Sequence, residues 1–355
     1  MDVDIIIEIQ NIETGDMNMS LIEVNSLCKN YKIADKEQGL SGMLKHIVAP
    51  KYHMKEAVKD INFTVEKGES VAYIGSNGAG KSTTIKMLTG ILKPTSGNIC
   101  INGLDPYKHR IQSSKNIGVV FGQRTQLWWD IPIRESFSML KEIYEIPNSV
   151  YDANIKYFGE ILGVSEFMGY PARKLSLGQR MRADIVASLI HNPPVIYLDE
   201  PTIGLDVAVK ERVCEFLKKI NKERGTTILL TSHDLDDIEK VCSRIIVIDH
   251  GKKLFDGDAA LLKRKYAYNR CIVVKTAYDL PKENKICNEL PNITVEKTDS
   301  HVYEISFNQD EYSAYNIIQK LSEYLPIVDF SLREPSVEQV VKKIYNGEIE
   351  REFEV

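Results

Sequence analysis

The sequence is poor in what export, membrane passage and metal clusters need. Its six cysteines (28, 100, 214, 242, 271 and 287) are scattered, and none forms a C-x-x-C pair. They read as reduced, mostly buried thiols of a cytosolic protein, not as disulfides or metal ligands. No apolar run approaches the ~18–20 residues that a bilayer-spanning helix requires. No Lys or Arg precedes Lys29, whereas Asp2, Asp4, Glu8, Glu13, Asp16 and Glu23 are all acidic. A secretory signal carries the opposite charge, so none is expected. A net charge of −5 gives no basic signature, and nucleic acid is not an expected partner. Only two tryptophans occur, and they are neighbours, Trp128 and Trp129.

What is present is an ordinary globular composition, 43% hydrophobic and 27% charged, over 355 residues. That length suits two or three domains. The chain is organised around VAYIGSNGAGKSTT, residues 71–84. An apolar strand runs into Gly75-Ser76-Asn77-Gly78-Ala79-Gly80-Lys81-Ser82, followed by Thr83 and a helix-forming stretch. Wrapping a triphosphate brings backbone N–H groups against its oxygens, and glycine permits that approach. The following helix points its positive end at the phosphates. Lys81 is placed to reach the β/γ oxygens, and the Ser82 hydroxyl to ligate Mg²⁺. An ordinary Gly-rich turn does not reproduce the whole G-x-x-x-x-G-K-[ST] pattern between a strand and a helix.

Further strand ends carry chemistry. Val195–Leu198 is an apolar strand ending in Asp199-Glu200. Adjacent acids at the end of a buried strand are costly unless they hold a cation or act on a proton. Asp199 fits a Mg²⁺ ligand, and Glu200 a group that orients and deprotonates the attacking water. His233 stands just past strand Thr227–Thr231, where it could hydrogen-bond a γ-phosphate. Ser176 is a credible N-cap for an amphipathic helix running to about His191. Tyr31 is either a strand-end filler or an aromatic that stacks on a base. The Trp pair is either core of a helical insert or part of a docking surface.

Residues 33–56 read as an insertion with an amphipathic stripe at Leu40, Met43, Leu44, Ile47 and Val48. It caps the domain surface or touches lipid headgroups. The pattern after residue 271 is expected as strand, helix, strand, strand, helix, strand and a last helix over 336–345. That order suggests a small α+β ferredoxin-like domain.

Taken together these motifs resemble those of the ATP-binding-cassette (ABC) ATPases, from residue 20 to about 256. The set comprises the phosphate loop, a Q-loop Gln123, the signature Leu175–Gln179, the strand Val195–Asp199 with Glu200, the turn Gly204-Leu205-Asp206 and the switch His233. Tyr31 takes the place where the family stacks an aromatic on adenine. FGQRTQLWWD, PTIGLD and the C-terminal part look most like ATPase subunits of bacterial ABC-2-type exporters. Two departures stand out: Leu177 replaces the first glycine of the family's LSGGQ, and the Q-loop holds two glutamines, of which Gln123, ten residues before Ile133, is preferred over Gln126.

The resemblance implies an α/β fold, a P-loop NTPase (ABC ATPase) domain with a mixed sheet, an antiparallel β subdomain and a helical subdomain. The expected domains are an N-terminal extension (1–18), the ATPase (19–260, helical subdomain about 124–191) and the C-terminal accessory domain (271–347). It also implies ATP and Mg²⁺ as cofactors. Glu200, His233 and Gln123 would be catalytic, and Ser82, Gln123 and Asp199 would hold the metal. Tyr31, Gly75 to Thr83, Ser176, Gly178, Gln179 and Asp206 would bind nucleotide. A homodimer or heterodimer, separate transmembrane permease subunits and a peripheral place on the cytoplasmic face of the plasma (inner) membrane follow from the same resemblance. The competing class is a soluble ABC ATPase of assembly or regulation. The family's repair ATPases insert a long coiled coil, for which the about 90 residues between Ser82 and Leu175 leave no room.

Overall fold

The computed structural model describes residues 20–34, 52–122, 124–232, 234–259, 261–262, 269–279, 290–308, 311–324, 326–333, 340–341 and 345. Gln123, His233 and the stripe from Leu40 to Val48 lie outside them. The strands are β1 (Ser20–Ala34), β2 (Tyr52–Glu66), β3 (Ser70–Gly75), β4 (Ser96–Ile101), β5 (Ile117–Phe121), β6 (Val195–Asp199), β7 (Thr227–Thr231), β8 (Arg244–Asp249), β9 (Lys252–Asp258), β10 (Asn269–Thr276), β11 (Thr294–Asp299), β12 (Val302–Asn308) and β13 (Ile327–Arg333). The helices are α1 (Lys81–Leu88), α2 (Arg110–Lys115), α3 (Ile133–Ile143), α4 (Asn148–Leu162), α5 (Leu177–Leu189), α6 (Val207–Arg224), α7 (Leu235–Val241) and α8 (Ala314–Ser322).

The central sheet has the order β5-β6-β7-β3-β8-β9. It is parallel from β5 to β8, and β9 closes it antiparallel. Its strands are apolar at nearly every position because both faces are covered. Alternate residues go to different cores. Val71, Tyr73, Val195, Tyr197, Leu229, Ile246 and Ile248 join the core beneath the antiparallel sheet. Ala72, Ile74, Ile196, Leu198, Ile228, Leu230, Ile245 and Val247 join the core under the helices. Period-2 geometry alone produces that division.

The antiparallel sheet β2-β1-β4 packs on the first core. Its two long strands pair as far as Ala34↔Tyr52. This corrects the expected insertion at both ends: residues 33–34 and 52–56 are strand. The register Tyr31↔Lys55 shows why, since the ladder continues past the point where burial stops.

Helices α3, α4 and α5 come between β5 and β6, and Phe137, Leu140, Phe158 and Leu162 are buried among them. Tyr144 stacks on His191 with ring centroids 4.0 Å apart. Helix α6 starts at Val207 because the Asp206 side chain accepts the Val209 amide and caps it.

The last sheet is antiparallel throughout, in the order β11-β12-β10-β13. Its core is separate: Ile272, Val274, Ile305 and Phe307 meet Ile317 and Leu321 of α8. Most of the two other helices expected here falls outside the described residues. Val340 and Val341, by contrast, are buried in the core under the helices of the central sheet.

Candidate active site

Three strand ends meet in one row. The ladder sets Phe121 against Asp199 and Asp199 against Thr231, so the chain leaves β5, β6 and β7 at one edge of the sheet. The phosphate loop leaves β3, next to β7, at the same edge. The C-terminal edge of a parallel sheet is where α/β proteins bind ligands.

The loop is held from below. A Cβ on Gly75 would lie 2.7 Å from the Ile248 carbonyl oxygen, and one on Gly80 would lie 2.6 Å from that of Ala57. Gly78 and Gly80 have φ of 84° and 111°, backbone that glycine adopts freely. The turn between β8 and β9 braces the loop at two points. Ser76 Oγ donates to Asp249 Oδ1 at 2.7 Å, and the Gly251 amide donates to the Ala79 carbonyl at 3.0 Å. Helix α1 starts at Lys81 with no side-chain cap, which leaves its first amides for an anion.

Lys81 is buried, 6% exposed, and its ammonium donates to the carbonyls of Gly75 at 2.6 Å and Ser76 at 3.2 Å. Burial lowers its pKa, while Glu200 and Asp199 pull the other way. The ammonium is therefore held at the loop, over the strand end that carries both acids.

Opposite the loop, Thr231 Oγ1 donates to Asp199 Oδ1 at 2.6 Å. Glu200 sits at φ 56°, an uncommon conformation for a residue with a Cβ. Its amide donates to the Thr231 carbonyl at 3.0 Å and to Thr231 Oγ1 at 3.1 Å, which holds that bend. The Gly122 amide donates to the Asp199 carbonyl at 2.8 Å, and a Cβ there would lie 2.5 Å from the Glu200 oxygen. A cleft of about 310 Å³ results, lined by Ser82, Lys86, Phe121, Gly122, Asp199 and Glu200 among others. Among the described residues no group of three or more His, Cys, Asp or Glu could by itself hold a metal. A cation here would need phosphate oxygens as further ligands, the usual habit of Mg²⁺ at such sites.

The remaining expected residues that the structure describes do not line this cleft. Tyr31 is 36% exposed on β1, with the Lys29 ammonium 5.4 Å from its ring centroid. Ser176 caps α5 in a full capping box: its hydroxyl accepts the Gln179 amide, and the Gln179 side chain accepts the Ser176 amide. The side chain of Gln179 is thus tied to the helix start. A Cβ on Gly178 would meet Val209 of α6, and one on Gly204 would meet the Leu177 side chain at 3.0 Å. The leucine that replaces a glycine therefore leans on the turn before Asp206.

The Trp pair divides. Trp128 is half-buried against the helical core, and Trp129 is 50% exposed with the Arg180 guanidinium 5.6 Å from its ring centroid. Sequence reasoning missed Thr231, Asp249 and Asp184. Asp184 is buried on α5, where its Oδ1 accepts from Thr125 Oγ1 at 2.8 Å and from the Gln126 amide at 3.0 Å. Burial pushes its pKa up to about 6. An acid on the buried face of an amphipathic helix was the available signal. A larger cavity of about 600 Å³, lined by Asn154, Phe158 and Arg224 among others, includes none of the expected nucleotide-binding residues.

A parallel sheet with a glycine loop between its central strand and an uncapped helix, facing paired strand-end acids, defines a P-loop nucleoside triphosphatase. Comparison with known proteins narrows the class. The family model described as ABC transporter matches residues 58–203. ABC transporter ATP-binding protein NatA of Bacillus subtilis (strain 168) is 33% identical over 202 residues, 57% of this chain and 82% of that protein. Linearmycin resistance ATP-binding protein LnrL of the same organism is 34% identical over 206 residues, 58% of this chain and 66% of that protein. A solved dimeric, post-hydrolysis ATP-binding cassette bound to ADP and Pi aligns with a TM-score of 0.55 at 26% identity, over 67% of this chain and 98% of that one. The chain belongs to the ABC transporter ATP-binding family. It is an ATP-binding and ATP-hydrolysing subunit of an ABC transporter.

Proposed function

We propose that this subunit drives an exporter, and that its turnover runs through Asp199 and Glu200. The observation that carries the reading is the position of these two acids, in one cleft with Ser82 and within electrostatic reach of Lys81. Mg²⁺ arriving with the nucleotide would be held by Ser82 and Asp199, with Gln123 as a further ligand. Thr231 occupies one oxygen of Asp199 and leaves the other for the cation. Held by these residues, the ion would supply charge neutralisation at the β and γ oxygens of the phosphates. Lys81 binds the same oxygens, and the loop and α1 amides hold the phosphate chain. Glu200 takes the proton of the attacking water as its oxygen bonds to the γ-phosphorus and ADP leaves. His233 and Gln123 complete the contacts to the γ-phosphate, and Tyr31 stacks on adenine.

Ser176, Gly178, Gln179 and Asp206 serve the nucleotide of the other subunit. Two copies, or a copy and a paralogue, close head to tail around ATP. The helix N-terminus at Ser176 offers its positive end to the γ-phosphate, so ATP favours closure and ADP does not. Among the described residues no helix is long and apolar enough to cross a membrane, which supports separate transmembrane permease subunits. The subunit then sits peripherally on the cytoplasmic face of the plasma membrane, with Trp129 and its surroundings as the docking region. The resemblance of FGQRTQLWWD and PTIGLD to ABC-2-type exporter ATPases favours export as the direction. Nucleic acid is not a partner.

The test uses Glu200→Gln, expected to bind ATP while turnover falls by roughly 10²–10⁴-fold. The tagged variant is expressed in its own host, the membranes are gently solubilised, and co-purifying proteins are identified with and without ATP. Stoichiometric polytopic membrane proteins support the exporter. Recovery from the soluble fraction alone refutes it and favours an assembly or regulatory ATPase.

A further inference from the structure

Among the described residues the last sheet ends at β13, whose one ladder neighbour is β10. Val328, Phe330 and Leu332, at alternate positions of this edge strand, are 61%, 55% and 43% exposed. A long apolar edge is a template for another strand, and proteins commonly blunt it with lysine or proline. β13, IVDFSLR, contains neither. The Phe330 amide donates to the Asp329 carboxylate at 2.8 Å. Backbone direction alternates along a strand, so Phe330 and Leu332 turn their N–H and C=O groups away from β10.

We propose that β13 pairs antiparallel with β13 of a second copy of this chain, about a two-fold axis through Ser331. The two sheets then form one eight-stranded sheet. This register exchanges hydrogen bonds between Phe330 and the partner's Leu332, twice by symmetry, with the Phe330 amide exchanging the Asp329 carboxylate for the partner's carbonyl. On the same face the four apolar side chains cover one another. On the other face Asp329 meets the partner's Arg333, again twice. A two-fold axis one residue earlier, at Phe330, sets Asp329 against serine and loses both ion pairs. The interface is isologous, so one strand supplies both halves of every contact. The pairing needs no nucleotide and does not rest on the ATP-driven closure proposed above.

The test is a nucleotide-free oxidation of full-length Ser331→Cys beside the wild-type chain with its six cysteines. Residue 331 and its mate form a non-hydrogen-bonded pair about 4.5 Å apart at Cα, within disulfide reach. A covalent dimer is expected. Asp329→Cys should give none, because its mate lies four residues out of register. No dimer from Ser331→Cys, or an equal yield from Asp329→Cys, overturns the proposal. Sedimentation gives a second reading. Asp329→Arg should raise the dimer dissociation constant about tenfold by opposing like charges twice, and adding Arg333→Asp should restore it. An unrestored double variant also overturns the register. ATP-dependent closure is read separately in Glu200→Gln. Loss of closure with the Ser331→Cys dimer intact refutes the head-to-tail reading and leaves the β13 pairing standing.

Discussion

Removing the Thr231 hydroxyl should slow hydrolysis without unfolding the protein. Thr231 is fully buried at the end of β7, and its Oγ1 donates to Asp199 Oδ1 at 2.6 Å. Thr231→Val preserves side-chain size and deletes that donor. The Glu200 amide keeps the Thr231 carbonyl at 3.0 Å, so the bend at Glu200 survives. A hydrogen bond to a charged group contributes about 1.5–3 kcal/mol. If Asp199 holds the cation, that loss falls on the carboxylate's aim, and ~1.4 kcal/mol is tenfold in rate. The expected fall in kcat is therefore roughly 10- to 150-fold, with half-saturation moved to higher Mg²⁺. Steady-state hydrolysis measured across a Mg²⁺ titration reads both quantities, and a melting curve separates them from misfolding. Thr231→Ser, which keeps the donor, should stay close to wild type. A folded Thr231→Val variant with kcat and Mg²⁺ dependence within twofold of wild type would refute the reasoning.

The Ser76–Asp249 hydrogen bond should matter to nucleotide affinity: Ser76→Ala or Asp249→Ala should weaken ATP binding by roughly 2- to 10-fold, from about 0.5–1.5 kcal/mol for the bond. Isothermal titration should find the double variant no weaker than either single one, since both remove the same contact. Tyr31→Ala should lose about 1–3 kcal/mol of base stacking and Tyr31→Phe almost none, read by fluorescent-nucleotide competition. Asp184 has its pKa raised by burial, from 3.8 to about 6. The folded state then binds more protons than the unfolded state between those values. The group's contribution falls as pH rises through that window, so the stability advantage of Asp184→Asn over wild type should grow from about pH 4 to pH 6 and then level off. Urea melts at stepped pH measure it, and an advantage constant across the window would contradict the shift.

The local parts of this site were legible because their chemistry is contiguous in sequence. Eight residues from Gly75 to Ser82 state the loop, and Ser176 with Gln179 states its own capping box. Asp199 and Glu200 were conspicuous as charges at the end of an apolar strand. Partners that only the fold brings together were not legible. Asp249 lies 173 residues from Ser76, and Thr231 lies 32 from Asp199. Nothing in a turn Asp-His-Gly marks it as the brace of a loop so far upstream. Strand length failed for another reason. Past Leu27 the alternation of buried and exposed side chains on β1 fades, yet the ladder with β2 runs on through backbone bonds. A reading based on apolar periodicity stops where burial stops.

The aspartate buried in the signature helix has a mechanical consequence. Three hydrogen bonds join Thr125 and Gln126 to residue 184: two reach one carboxylate oxygen, and the Gln126 amide group donates to the Asp184 carbonyl at 2.8 Å. Sliding this segment along α5 would break all three, at about 0.5–1.5 kcal/mol each. A few residues upstream, Gly122 is pressed against Glu200 with no room for a side chain. Gly122 is thus anchored to the end of β6, and Thr125 and Gln126 to α5, so that two contacts close in sequence tie the strand that carries Asp199 to the helix that starts after Ser176.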